Sequence, residues 1–122
     1  MFDSGQHFIH HVASVTQRTA AQIVYWDRVA NEKRFSHPLR RDWLEQYLKD
    51  PGARILDYGC GYGRTLADLS QAGFQNLAGM DFSEAMLARC RSEVPSAILI
   101  RNDGRSLPIK HDSCDAVLLF AV

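Results

Sequence analysis

Charge of one sign is missing from this sequence, since 14 basic residues balance 14 acidic ones over 122 positions. No overall field draws the chain to nucleic acid or to an anionic membrane, and neither is expected as a partner. Long apolar runs are missing too. The longest, Ala116–Val122, is far short of the twenty or so residues that cross a bilayer. The N-terminus has no basic stretch followed by an apolar core, so no secretory leader is expected. Cysteine is scarce: Cys60, Cys90 and Cys114 are odd in number, widely spaced and without C-x-x-C spacing. That excludes a disulfide framework or a zinc ribbon and fits a reducing, cytoplasmic location. His7, His10 and His11 are read as a surface helix face rather than a metal site. Repeats and low-complexity segments are absent. What remains, 46% hydrophobic and 23% charged residues, is the composition of one soluble globular domain.

The pattern changes rhythm near the middle. Phe8, Val12, Val15, Thr19, Ile23 and Trp26 recur at steps of three and four, which predicts one helix or two in succession. Ser36-His37-Pro38 marks a restart, and Leu39, Trp43, Leu44, Tyr47 and Leu48 form a second amphipathic stripe ended by Asp50-Pro51-Gly52. Beyond it, strands are expected at Ala53–Asp57, Leu77–Asp81, Ala97–Arg101 and Asp115–Val122. Helices are expected at Arg64–Ala72, stopped by Gly73, and at Glu84–Ser92, capped by Ser83. Strands alternating with helices of this length imply a parallel sheet in an α/β fold. Residues 1–52 are thus expected to form an N-terminal helical segment, and residues 53–122 an α/β unit.

The richest stretch is Arg54-Ile55-Leu56-Asp57-Tyr58-Gly59-Cys60-Gly61-Tyr62-Gly63. A short apolar run reaches an acid, then gives way to three glycines at alternate positions. Such a strand–turn–helix junction lets the backbone approach a ligand closely. The dinucleotide fingerprint G-x-G-x-x-G wants its third glycine where this chain has Arg64, so a nucleoside-binding turn of another kind is indicated. Asp81 lies 22 residues after Gly59, at the expected end of the next strand. A carboxylate there accepts hydrogen bonds from ribose hydroxyls in dinucleotide folds.

Four pieces in order carry a family resemblance: Leu56–Gly63; Gly79-Met80-Asp81-Phe82-Ser83; Asn102-Asp103-Gly104 with Leu107-Pro108-Ile109; and Ser113–Phe120. From Ile55 to Val122 the chain resembles the first half of a class I S-adenosylmethionine-dependent methyltransferase. The resemblance implies a Rossmann-like parallel sheet, incomplete at about four strands and preceded by N-terminal helices, with S-adenosyl-L-methionine as cofactor. It implies cofactor contacts from Asp57, Gly59, Cys60, Gly61, Gly63, Asp81, Phe82, Asn102, Asp103, Gly104 and Phe120. Asp57 would hold the cationic amino group, Asp81 the ribose, Phe82 the adenine face and Asp103 the adenine amino group. The Gly104 N–H would donate to the ring, and Phe120 would end the strand beside the reacting centre. No catalytic base is nominated, because displacement at a sulfonium methyl needs mainly alignment.

The family's sheet has seven strands ordered 3-2-1-4-5-7-6, and this sequence reaches only the fourth. It is therefore read as a truncated form, with strand 4 exposed as an edge open to homodimerisation. The acceptor is expected to be a small molecule. A non-catalytic cofactor-binding or interaction module stands as the alternative, with an NAD-dependent oxidoreductase behind it. Tyr25, Trp26, Asp27, Arg28 and Phe35 have two open readings, a lid over the cofactor or ordinary packing.

Overall fold

The computed structural model describes residues 17–32, 40–103 and 109–119. Phe8, Val12, Val15, the three N-terminal histidines, Phe35, Leu39, Gly104 and Phe120 lie outside them, as do the side chains of Thr19 and Trp43. The elements run α1 (Gln17–Val29), α2 (Arg41–Tyr47), β1 (Arg54–Tyr58), α3 (Arg64–Gln71), β2 (Asn76–Asp81), α4 (Glu84–Glu93), β3 (Ile98–Arg101) and β4 (Ala116–Leu118). The four strands form one parallel sheet in the order β3-β2-β1-β4. That is the start of the expected strand order, and it puts β1 and β2 at the centre.

Alternation along the strands builds a core on each face of the sheet. Ile55, Leu77 and Leu99 join Leu66, Leu69, Leu87, Cys90 and Val94 from α3, α4 and the α4 cap. Leu44 of α2 belongs to the same core, so the N-terminal helical segment packs onto the α/β unit. Leu56, Ala78, Met80 and Ile100 face the other way, against Ile109 and Cys114. Among the described residues, no helix is long and apolar enough to cross a membrane.

Helix ends follow local chemistry. Ser83 caps α4, its Oγ accepting from the Met86 N–H at 3.2 Å. Gly73, at φ 102°, ends α3 one position beyond the cap residue Ala72. Its N–H bonds the Ser70 carbonyl and the Phe74 N–H bonds the Leu69 carbonyl, which is the Schellman pattern.

Two expectations change. Tyr47 is 66% exposed rather than on the buried stripe of α2, because the helix ends there and Leu48 is already extended. β4 is shorter than Asp115–Val122, covering Ala116–Leu118 among the described residues. Val117 is 47% exposed, and among the described residues β4 pairs with β1 alone, as the expected edge. Arg54 holds that pairing in register, its guanidinium gripping the Asp115 carboxylate through Nε at 3.1 Å and Nη2 at 3.0 Å.

Gly79 in β2 marks where the chain packs tightest. A Cβ there would meet Cys60 Sγ and Leu66 Cδ1, both at 2.7 Å, whereas one at Gly73 would meet nothing within 4 Å. Gly79→Ala is therefore expected to destabilise by about 2 kcal/mol through overpacking, and Gly73→Ala by about 1 kcal/mol through its left-handed backbone alone. Urea denaturation checks both, and equal losses would contradict the packing account.

Candidate functional site

Both central strands end at the same edge of the sheet, and each hands over to a turn. After β1, Gly59, Gly61 and Gly63 adopt φ of 76°, 55° and 93°, the left-handed region that disfavours any side chain. At Gly63 space is also lacking, since a Cβ would lie 2.4 Å from Cys90 Sγ. Gly61 is different. Its nearest obstacle would be Met86 Sδ at 4.0 Å, so the backbone there stays accessible. The Met80 carbonyl, at the end of β2, accepts from Gly59 N–H at 2.7 Å and Cys60 N–H at 3.0 Å, joining the glycine turn to the next strand.

Asp81 completes that junction. Its Oδ2 accepts from the Gly61 N–H and its Oδ1 from the Ser83 N–H, both at 2.9 Å. Each oxygen keeps a further lone pair for a ligand hydroxyl. Burial pushes this carboxyl above its usual range, and the N–H groups of Ser83, Gly61 and Phe82 pull it back. Behind it stands Asp57, 3% exposed. No hydrogen bond reaches its carboxylate among the described residues. Burial first, and the Asp81 charge second, raise Asp57 to about 7. A buried acid without a donor is costly as an anion, and a cation placed there would relieve it.

The remaining predicted contacts divide. Cys60 is buried beneath the turn. The neighbouring Cys90 thiol and burial hold its thiol well above the ordinary value, which leaves it unreactive. Asn102 sits beside the acidic turn, its N–H on the Asp81 carbonyl at 3.1 Å and its Nδ2 near the Tyr58 hydroxyl at 3.4 Å. Phe82 and Asp103 are half-buried next to these residues in sequence. Gly104 and Phe120 lie outside the described residues. The structure thus brings together Asp57, Gly59, Cys60, Gly61, Gly63, Asp81 and Asn102. Among the described residues no cluster of three or more His, Cys, Asp or Glu could hold a metal ion.

Sequence reasoning missed three contributors. The Tyr58 hydroxyl meets Asn102, and Arg89 lies 3.7 Å from the centre of the Tyr62 ring in the glycine turn. Ser83 was read only as a helix cap, yet its Oγ donates to Asp27 of α1 while its N–H binds Asp81. The first two are contacts between residues far apart in the chain and had no local signal. The third had half a signal in the cap itself.

Residues 55–122, more than half of the chain, match a family described as a methyltransferase domain. The chain belongs to that family. It falls in the class I, S-adenosylmethionine-dependent group that its motifs resemble. The methyltransferase core is 33% identical over 81 residues to a ubiquinone biosynthesis O-methyltransferase of Stutzerimonas stutzeri, covering 65% of this chain and 34% of that protein. It is 35% identical over 68 residues to EEF1A lysine methyltransferase 2 of Danio rerio, covering 56% and 27%. Among solved structures, an S-adenosylmethionine-dependent methyltransferase of Mesorhizobium loti superposes with TM-score 0.54 at 34% identity, over 62% of this chain and 37% of that one. The chain spans about a third of the length of the curated relatives it matches.

The group's cofactor fits the residues of this methyltransferase turn: a buried carboxylate without a hydrogen-bond donor among the described residues for an ammonium, an open glycine backbone, and a second carboxylate for a diol. Because Asp57 is raised in the folded state, the native chain binds more protons than the unfolded one between about pH 4 and 7. Stability is therefore lost as pH rises through that window. Asp57→Asn removes this slope. It is expected to match the wild type near pH 4 and to exceed it by about 2–4 kcal/mol at pH 8. Urea midpoints across pH check this, and parallel curves would contradict it.

Proposed function

We propose that this chain is the cofactor-binding half of an S-adenosylmethionine-dependent methyltransferase whose acceptor is a small molecule. The observation that carries the reading is Asp81, a buried carboxylate fixed by one N–H from each of two turns at the open end of β1 and β2. When bound, the cofactor would supply a methyl group already activated by its sulfonium. The chain's own residues would grip and orient it. Asp57, ionised, would hold the amino group. The backbone at Gly59–Gly63 would run beneath the methionine and ribose portions, and Asp81 would accept from the ribose hydroxyls. Holding the donor in one pose is what an in-line displacement asks of the protein.

The small-molecule acceptor is supported by the balanced charge and by the relatives named for quinone biosynthesis. The lysine methyltransferase relative favours a second reading, with a protein side chain as acceptor. Nucleic acid and membrane are not proposed as partners. A cytoplasmic location is supported by three free thiols. Homodimerisation through β4 is supported by Val117, 47% exposed on a strand paired on one side among the described residues, and by Leu119, 70% exposed just beyond it.

Calorimetric titration with S-adenosylhomocysteine, using NAD as control, tests the reading. Saturable binding is expected for the homocysteine ligand alone. Asp81→Ala should weaken it about a hundredfold, the effect of losing hydrogen bonds to a buried charge. Affinity should also rise with pH up to about 7, as Asp57 ionises, with proton release on binding below that pH. Binding of NAD instead, or binding indifferent to Asp81, would overturn the assignment.

A further inference from the structure

α1 adds no strand to the sheet, yet its last turn touches both turns of the site. Asp27 Oδ1 accepts the Ser83 hydroxyl at 2.5 Å and the Ala85 N–H at 3.2 Å. A hydroxyl has one proton. Ser83 Oγ already accepts from Met86 N–H, so its own proton is committed to Asp27. The Ser83 N–H in turn holds Asp81 Oδ1, and Asp81 Oδ2 holds the Gly61 N–H. One unbroken chain of hydrogen bonds thus runs from α1 through the acidic turn into the glycine turn.

A second link lies nearby. The Ala30 carbonyl, just beyond α1, accepts from Arg89 Nη1 at 2.8 Å. Arg89 covers the Tyr62 ring, and Ala30, Tyr62 and Met86 form a small buried cluster with Trp26 and Ala85 packed against it. The α1 end is therefore fastened to both turns, by hydrogen bonds at one point and by packing at the other.

We propose that Asp27 is a positioning residue for Asp81, and that docking of α1 and occupancy of the cofactor turns are coupled. This deepens the cofactor reading above and rests on it. Where the sequence left a lid or ordinary packing open for Asp27, the structure shows a specific bond. The residue grips the serine that fixes the carboxylate. Coupling of this kind is reciprocal, so a ligand held by Asp81 tightens α1 by the same factor that α1 tightens the ligand.

The test compares wild type, Asp27→Ala and Asp27→Asn. Asparagine keeps the oxygen acceptor, which is all the geometry requires. Amide exchange by NMR in the ligand-free chain is read at Gly61 and Ser83, which Asp27 does not touch through their N–H groups, and at Leu56 and Ala78 in the sheet. Asp27→Ala is expected to speed exchange at Gly61 and Ser83 about fivefold to tenfold, the usual cost of a lost cap. The sheet amides should stay unchanged and Asp27→Asn should remain within about twofold of wild type. S-adenosylhomocysteine affinity should fall by a similar factor in Asp27→Ala only, and the ligand should slow exchange across α1 in the wild type. Unchanged exchange at Gly61, a uniform rise throughout the sheet, or no rescue by asparagine would each overturn the proposal. Absence of binding by the wild type would instead count against the cofactor reading, and the ligand-free exchange would still decide the role of Asp27.

Discussion

Asp81 is held at the end of β2 by the Gly61 N–H on one oxygen and the Ser83 N–H on the other, and the geometry of the site depends on that pair of bonds. Two turns that belong to different βα units could otherwise settle independently. The carboxylate makes them one object, with the Met80 carbonyl beneath it holding the glycine turn from the other side. Tight packing enforces the arrangement. Gly79 lets Cys60 and Leu66 close over β2, and Gly63 lets α3 begin against Cys90 of α4. A side chain at Gly79 would press on Cys60 and Leu66, and one at Gly63 on Cys90 and Val94.

This arrangement has a cost in stability. Asp57 and Asp81 are both buried and both raised by that burial, and among the described residues Asp57 has no donor to offset its charge. A fold selected for stability alone would put an apolar or amide side chain there. Keeping acids in place means that the folded chain stores unfavourable electrostatics which a cationic, hydroxyl-bearing ligand can release. The chemistry of the family needs little more from this half of the molecule, because the donor carries its own activation and the protein has chiefly to aim it.

The sequence made legible what local rules govern. Glycine at alternate positions after an apolar strand, an acid ending the next strand, serine before α4 and glycine after α3 each have a short-range physical reason, and each stands where that reason put it. β4 is the edge that the strand order leads one to expect. Among the described residues it is shorter than its apolar run, because such a run says that a strand prefers cover, not how far its pairing extends. Tyr47 was misplaced because periodicity does not show where a short helix stops. The Asp27–Ser83 bond joins residues 56 positions apart, and nothing local distinguishes Asp27 from any other helix-face acid. Sequence reading placed Asp27 in a group with two open roles and had no means to assign it a bond to Ser83.

The most direct test of the central claim is a crystal structure of this chain with S-adenosylhomocysteine. The account predicts the ribose hydroxyls on the Asp81 carboxylate, the amino group at Asp57 and the Gly61 backbone in contact with the ligand, with both Asp81–amide bonds kept. A ligand bound elsewhere, or one seated at the turns with its ribose turned away from Asp81, would contradict it.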